Sequence, residues 1–186
     1  MLQIIKRVAL MLAITALAGC ATKVTQTAID PSLATSGKVA RVTGGTVVAV
    51  MSASDDVKAR SDWADFIEQW QKSLTSAAED QAVPFIFAND ESSMPASAAV
   101  LVRIHVNDFK YVSQVKRYML GVMAGNATMD VDAKYIALPA NKPLGAKNFN
   151  TSSSGWEGVF SAMTPKQVET VSNMIVKEVV ALAPSR

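Results

Sequence analysis

His105 is the one histidine and Cys20 the one cysteine among 186 residues. Chemistry that needs an imidazole therefore rests on His105 alone, and a single thiol cannot build a disulfide framework or a Cys/His zinc site. Asp130 and Asp132 lie two apart in the alternating stretch 128–138, so on a strand both carboxylates project from one face, with Asp108 in reach from a neighbouring strand. Carboxylates grouped this way can bind a hard cation or divide acid and base roles. Their plainer role is the wet face of an antiparallel sheet, with Lys134 in line. Met119, Met123 and Met129 offer thioethers, but without a second histidine or a cysteine beside them they are expected to fill core space instead of holding copper. The run Ser152-Ser-Ser-Gly155 lacks the GxSxG pattern and is expected to be a loop. No metal and no cofactor is expected, and the spacing supplies no nucleophile with its base.

The elements that would position these groups follow from periodicity. The apolar run 47–51 predicts a buried strand, and residues 61–80 place Trp63, Phe66, Ile67, Trp70, Leu74 and Ala77 at helical spacing. Ser61 or Asp62 can cap that helix. Residues 84–88 predict a second short strand, paired in parallel with the first across the helical crossover. In residues 99–111, Val102, Ile104 and Val106 share one face, and Arg103, His105 and Asn107 share the other. Residues 128–138 alternate again, 139–143 make a turn, and 144–152 return as another antiparallel strand. Thr164-Pro165 opens a final helix, with Gln167 at capping-box spacing and an apolar stripe of Val168, Val171, Ile175, Val179 and Leu182. The expected fold is α+β: a mainly antiparallel sheet with two helices packed on one face, a two-layer sandwich.

The N-terminus carries an address. Lys6 and Arg7 precede an almost unbroken apolar run, residues 8–17, in the order of a secretory signal. The run is too short to span a bilayer as a mature helix. It closes on Leu17-Ala18-Gly19-Cys20, which resembles the lipobox of bacterial lipoproteins, and that resemblance implies cleavage before Cys20 and a diacylglycerol on its sulfur. Two or three acyl chains, at about 0.8 kcal/mol per buried methylene, hold a protein on a bilayer far longer than one chain does. In such lipoproteins an Asp after the modified Cys often signals inner-membrane retention; here Ala21 and Thr22 follow, which implies the outer membrane with the domain in the periplasm. Residues 1–19 are thus read as a signal peptide, 20–38 as the lipidated Cys and a flexible tether, and 39–186 as one periplasmic domain. Loss of Lys6 and Arg7 lowers Lys plus Arg from 18 to 16, level with the 16 acidic residues. A neutral mature chain offers no broad field for phosphate backbones, so no nucleic-acid partner is expected.

Residues 118–126, with Met119, Leu120, Gly121, Met123 and Gly125, place an apolar, glycine-bearing segment where a polar turn would be ordinary. It is either a bend packed on the core or a loop that touches a partner or a membrane, with Lys110, Lys116 and Arg117 beside it. Gly121 and Gly125 have GxxxG spacing, but the apolar run is too short for a transmembrane dimer helix. Trp156 and Phe160, flanking Gly158, either plug the core or offer an aromatic contact. The strand ending near Phe109, Arg117, the Gly121 to Gly125 segment, the alternating strand 128–138, Ser-Gly-Trp-Glu-Gly at 154–158 and the closing helix together resemble bacterial lipoproteins of the DUF4410 type. Where that family commonly turns through Asp and Gly, this chain has Pro139-Ala-Asn-Lys-Pro143. The resemblance implies a lipoprotein and carries no activity with it.

The expected function is a non-catalytic, lipid-anchored envelope module that binds an envelope protein or lipid through its sheet edge or glycine loop. A close variant is an auxiliary lipoprotein of an envelope lipid transporter. The alternative from another class is a periplasmic hydrolase using Asp130, Asp132 or His105, which clustering of these groups in a deep pocket would favour.

Overall fold

Alternating apolar residues dictate a sheet with one face sealed, and two amphipathic helices seal it. The computed structural model describes residues 23–29, 45–111, 119, 127–152 and 163–182. In chain order these form β1 (Lys23–Ala28), β2 (Thr46–Ala53), α1 (Asp55–Lys58), α2 (Trp63–Asp80), β3 (Phe85–Ala88), a 3-10 turn (Glu91–Ser93), β4 (Ala98–Lys110), β5 (Thr128–Ala137), β6 (Lys142–Ser152) and α3 (Met163–Leu182). The six strands make one sheet in the order β1-β6-β5-β4-β2-β3. Pairs β1/β6, β6/β5 and β5/β4 are antiparallel, whereas β2 lies parallel to both β3 and β4. The architecture is α+β with a mostly antiparallel mixed sheet. The β2/β3 pairing agrees with the crossover expectation; the parallel β2/β4 pair is an addition to it.

The core lies between one sheet face and the two long helices. Val47, Ala49, Val102, Ile104, Val106, Met129, Val131, Tyr135 and Phe149 meet Phe66, Trp70 and Leu74 of α2 and Val168, Val171, Ile175 and Val179 of α3. Met129 is therefore core, as expected. Phe66 stacks on Phe109 with ring centroids 4.1 Å apart and planes 9° apart, while Trp70 meets Phe66 edge-on at 6.2 Å. Trp63 is half-buried at the rim of this cluster. A β-bulge between Val106 and Asp108 leaves Asn107 and Asp108 both exposed and returns Phe109 to the buried side. Just before β2, a Cβ built on Gly45 would stand 2.0 Å from the Ala99 Cβ, so only glycine lets the chain pass there.

Two expectations are corrected. Residues 23–28, within the predicted tether, form an edge strand that pairs residue by residue with β6, from Lys23↔Ser152 to Ala28↔Lys147, and Ile29 N–H continues the ladder to the Ala146 carbonyl at 3.1 Å. This strand shows little apolar alternation because, among the residues of the strand whose burial is described, only Val24 is half-buried. The Gln167 half of the capping box expected with Thr164 does not form. Gln167 is fully buried, its Nε2 donates to the Ala127 carbonyl at 3.1 Å, and its Oε1 has no donor among the described residues, so its side chain ties α3 to the start of β5 instead of to its own helix end.

On the opposite face, the connection from β3 to β4 passes over β2. Arg103 grips its 3-10 turn through Nε to Glu91 Oε1 at 2.6 Å and a terminal nitrogen to Oε2 at 2.8 Å. Val48 and Leu101 are fully buried there although they point away from the helices, and their neighbour Ile86 at the sheet edge is 40% exposed.

Candidate functional site

The helix-free face of the sheet collects most of the polar residues singled out by sequence. Strand register aligns Ser52, His105, Asp132, Asn148 and Thr27 in one row across β2, β4, β5, β6 and β1. Asp108, Asp130 and Asn150 align in a second row. Asp130 and Asp132 do share this face, and each is partly buried. Between them, the Asn148 Nδ2 donates one N–H to Asp130 Oδ1 at 2.6 Å and the other to Asp132 Oδ1 at 2.8 Å. Asn107 Nδ2 adds a long contact to Asp130 at 3.5 Å. A neutral amide with two donors thus separates two like charges, and charge-assisted bonds of this kind are the stronger class.

Asp108 takes no part in that pairing. Arg60, in the turn before α2, donates to Asp108 Oδ1 at 2.7 Å and to the Phe109 carbonyl at 2.6 Å, and its guanidinium lies 5.3 Å from the Phe109 ring centroid. Among the described residues no three His, Cys, Asp or Glu side chains are grouped to hold a metal ion.

His105 is exposed, and its Nδ1 is 3.0 Å from Ser52 Oγ, one group donating and the other accepting according to the ring tautomer. Sequence reasoning missed Ser52. It lies 53 residues from His105, and only the parallel β2/β4 register brings them together. A hydroxyl in hydrogen-bond reach of an imidazole is the minimum for a base-assisted nucleophile. Here the pair sits open on the sheet face, and the Oδ1 of Asp132 across the strand is bonded to Asn148.

Of the segment 118–126, Met119 is described and is 76% exposed, so it does not fill core space as expected; Leu120, Gly121, Met123 and Gly125 lie outside the described residues, as do Cys20, Lys116, Arg117, Trp156 and Phe160. Lys110 ends β4 exposed, and Ser152 closes β6, where the expected strand 144–152 also ended. Among the described residues, a small void between sheet and helices is lined by apolar side chains including Val47, Leu74, Phe85 and Ile175. Tyr135 is buried in the same layer, where burial, and secondarily Glu178, push its phenol well above its ordinary range, and its hydroxyl has no hydrogen-bond partner among the described residues. Neither feature adjoins the polar rows: the void borders the helices, and Tyr135 belongs to the core cluster.

Fold and face together define an α+β sandwich whose open sheet surface carries an internally bonded polar ladder. Residues 45–158 match the family model described as a domain of unknown function, DUF4410, and the chain belongs to that family. The match starts at β2 and stops before α3, so it reaches further towards the N-terminus than the sequence resemblance and excludes the closing helix. No curated protein matches. Among solved structures, a DUF330 protein from Xanthomonas campestris is 16% identical with a TM-score of 0.50, covering 74% of this chain and 84% of that one. The PelC dodecamer of Paraburkholderia phytofirmans is similar over 89% of this chain and 99% of that one, at 13% identity and a TM-score of 0.48. Lipoprotein GNA1162 of Neisseria meningitidis is similar over 72% and 99%, at 11% identity and a TM-score of 0.42. At 16% identity, the likeness to the Xanthomonas campestris protein is one of fold alone. Among the described residues, no helix is long and apolar enough to cross a membrane.

Proposed function

We propose that this chain is an envelope lipoprotein, held by acylated Cys20 on the outer membrane with its domain in the periplasm, where it binds an envelope protein or lipid without catalysing a reaction. The observation that supports the binding role is Met119, an apolar side chain 76% in water within the segment that the sequence leaves as either a bend packed on the core or a contact loop. The non-catalytic part is supported by the carboxylates of the sheet face, because Asn148 already engages Asp130 and Asp132 and Arg60 already engages Asp108. Met119→Glu tests the reading: envelope cross-links should be lost while the melting temperature stays within about 2 °C, as for an exposed substitution worth under about 0.5 kcal/mol. An unchanged cross-linking pattern contradicts the contact.

A hydrolase is the second reading, favoured by the 3.0 Å approach of Ser52 Oγ to His105 Nδ1. Covalent labelling of the protein by a fluorophosphonate probe, lost in Ser52→Ala, would establish it. Absence of labelling at Ser52 rejects that serine as an activated nucleophile.

A further inference from the structure

A lipid on Cys20 would be followed almost at once by the sheet. Lys23 is the first residue of β1, three residues on, and an extended chain spans at most about 3.6 Å per residue, so the sulfur-bearing residue lies within about 11 Å of the start of the strand. The strand is fixed along its whole length to β6. Its first residue lies in a single lateral row, Lys23, Ser152, Thr128 and Lys110, which forms one end of four neighbouring strands. The other end, marked by Ala137 and Lys142, is ten residues away along β6, or roughly 33 Å at about 3.3 Å per residue.

From these lengths we infer that the row Lys23–Ser152–Thr128–Lys110 faces the phospholipid headgroups and that the domain stands end-on upon the membrane instead of swinging on a tether. This orientation rests on the lipid-anchor reading. Successive strands lie about 4.8 Å apart, so Lys110 is roughly 14 Å across the row from Lys23. Its exposed ammonium is then available to headgroup phosphates. Lys142 is also exposed but sits at the end that an 11 Å leash holds away from the lipid.

The experiment places one nitroxide on the full, acylated chain at Lys110→Cys or at Lys142→Cys; the native cysteine is blocked by its lipid, and both positions are exposed. The proteins are reconstituted in phosphatidylethanolamine/phosphatidylglycerol vesicles that carry a small fraction of nickel-chelating lipid, and spin relaxation is read at each site. Relaxation at 110 enhanced several-fold over that at 142 is the expected result. Equal enhancement, or a larger one at 142, in protein that floats with the vesicles overturns the end-on orientation and leaves anchoring intact. Protein that fails to float overturns the anchoring and the orientation together.

Discussion

Phe66→Ala removes the ring on which the aromatic cluster is built. Phe66 is fully buried, stacked on Phe109 at 4.1 Å and in contact with Trp63 at 6.1 Å and Trp70 at 6.2 Å. Truncating a buried Phe costs about 3 to 5 kcal/mol, because transfer energy is lost and the surroundings collapse only in part. Within that total, each well-placed aromatic pair carries about 0.5 to 1.5 kcal/mol. Domains of this kind are stable by about 5 to 15 kcal/mol, so the variant should fold with little margin or not at all. Urea unfolding followed by tryptophan fluorescence is suited to the measurement, since Trp63 and Trp70 flank the site. With a slope near 2 kcal/mol per molar urea, a loss of about 4 kcal/mol moves the midpoint down by about 2 M. Phe66→Leu, which keeps most of the apolar volume, should lose less. A loss below about 1 kcal/mol for Phe66→Ala would refute the placement of this cluster in the core.

Gly45→Ala should destabilise by about 1 to 3 kcal/mol, since the new methyl group would meet the Ala99 Cβ at 2.0 Å; an unchanged melting temperature would show that the backbone gives way there. The hydrogen bonds from Arg103 hold the Glu91 carboxyl below its ordinary range. A depressed carboxyl contributes stability that is present above the unfolded value, about 4.3, and is lost as pH falls through the folded one. Both side chains are more than two-fifths exposed, so the pair is worth about 0.2 to 1 kcal/mol, and Arg103→Ala should flatten this acid limb in melting curves recorded against pH. An acid limb as steep as that of the unsubstituted protein would show that the clamp does not couple to folding.

The elements that pack most strongly were the easiest to find by pattern. The α2 face of Phe66, Trp70 and Leu74, the α3 stripe and the alternation of β5 follow from burial on one side at the period of each structure. Strand β1 escaped because an edge strand with Thr25, Gln26 and Thr27 exposed has almost no apolar period to read. The polar face was legible only in part. Alternation placed Asp130 and Asp132 together, but the partners that settle their chemistry come from other strands: Asn148 from β6 for these two and Arg60 from the α1–α2 turn for Asp108. Ser52 beside His105 depended on the parallel register of β2 with β4, and local spacing carries no record of such a pairing. Gln167 fitted a capping box by spacing, yet the buried Ala127 carbonyl offered its Nε2 a tertiary partner.

Mass spectrometry of the mature N-terminus, on protein isolated from bacterial membranes, tests the central claim most directly. The account predicts a chain that begins at Cys20 with a diacylglyceryl thioether on its sulfur, and a precursor that stays uncleaved and unacylated in Cys20→Ser. A mature protein that keeps residues 1–19, or carries Cys20 as a free thiol, would contradict it.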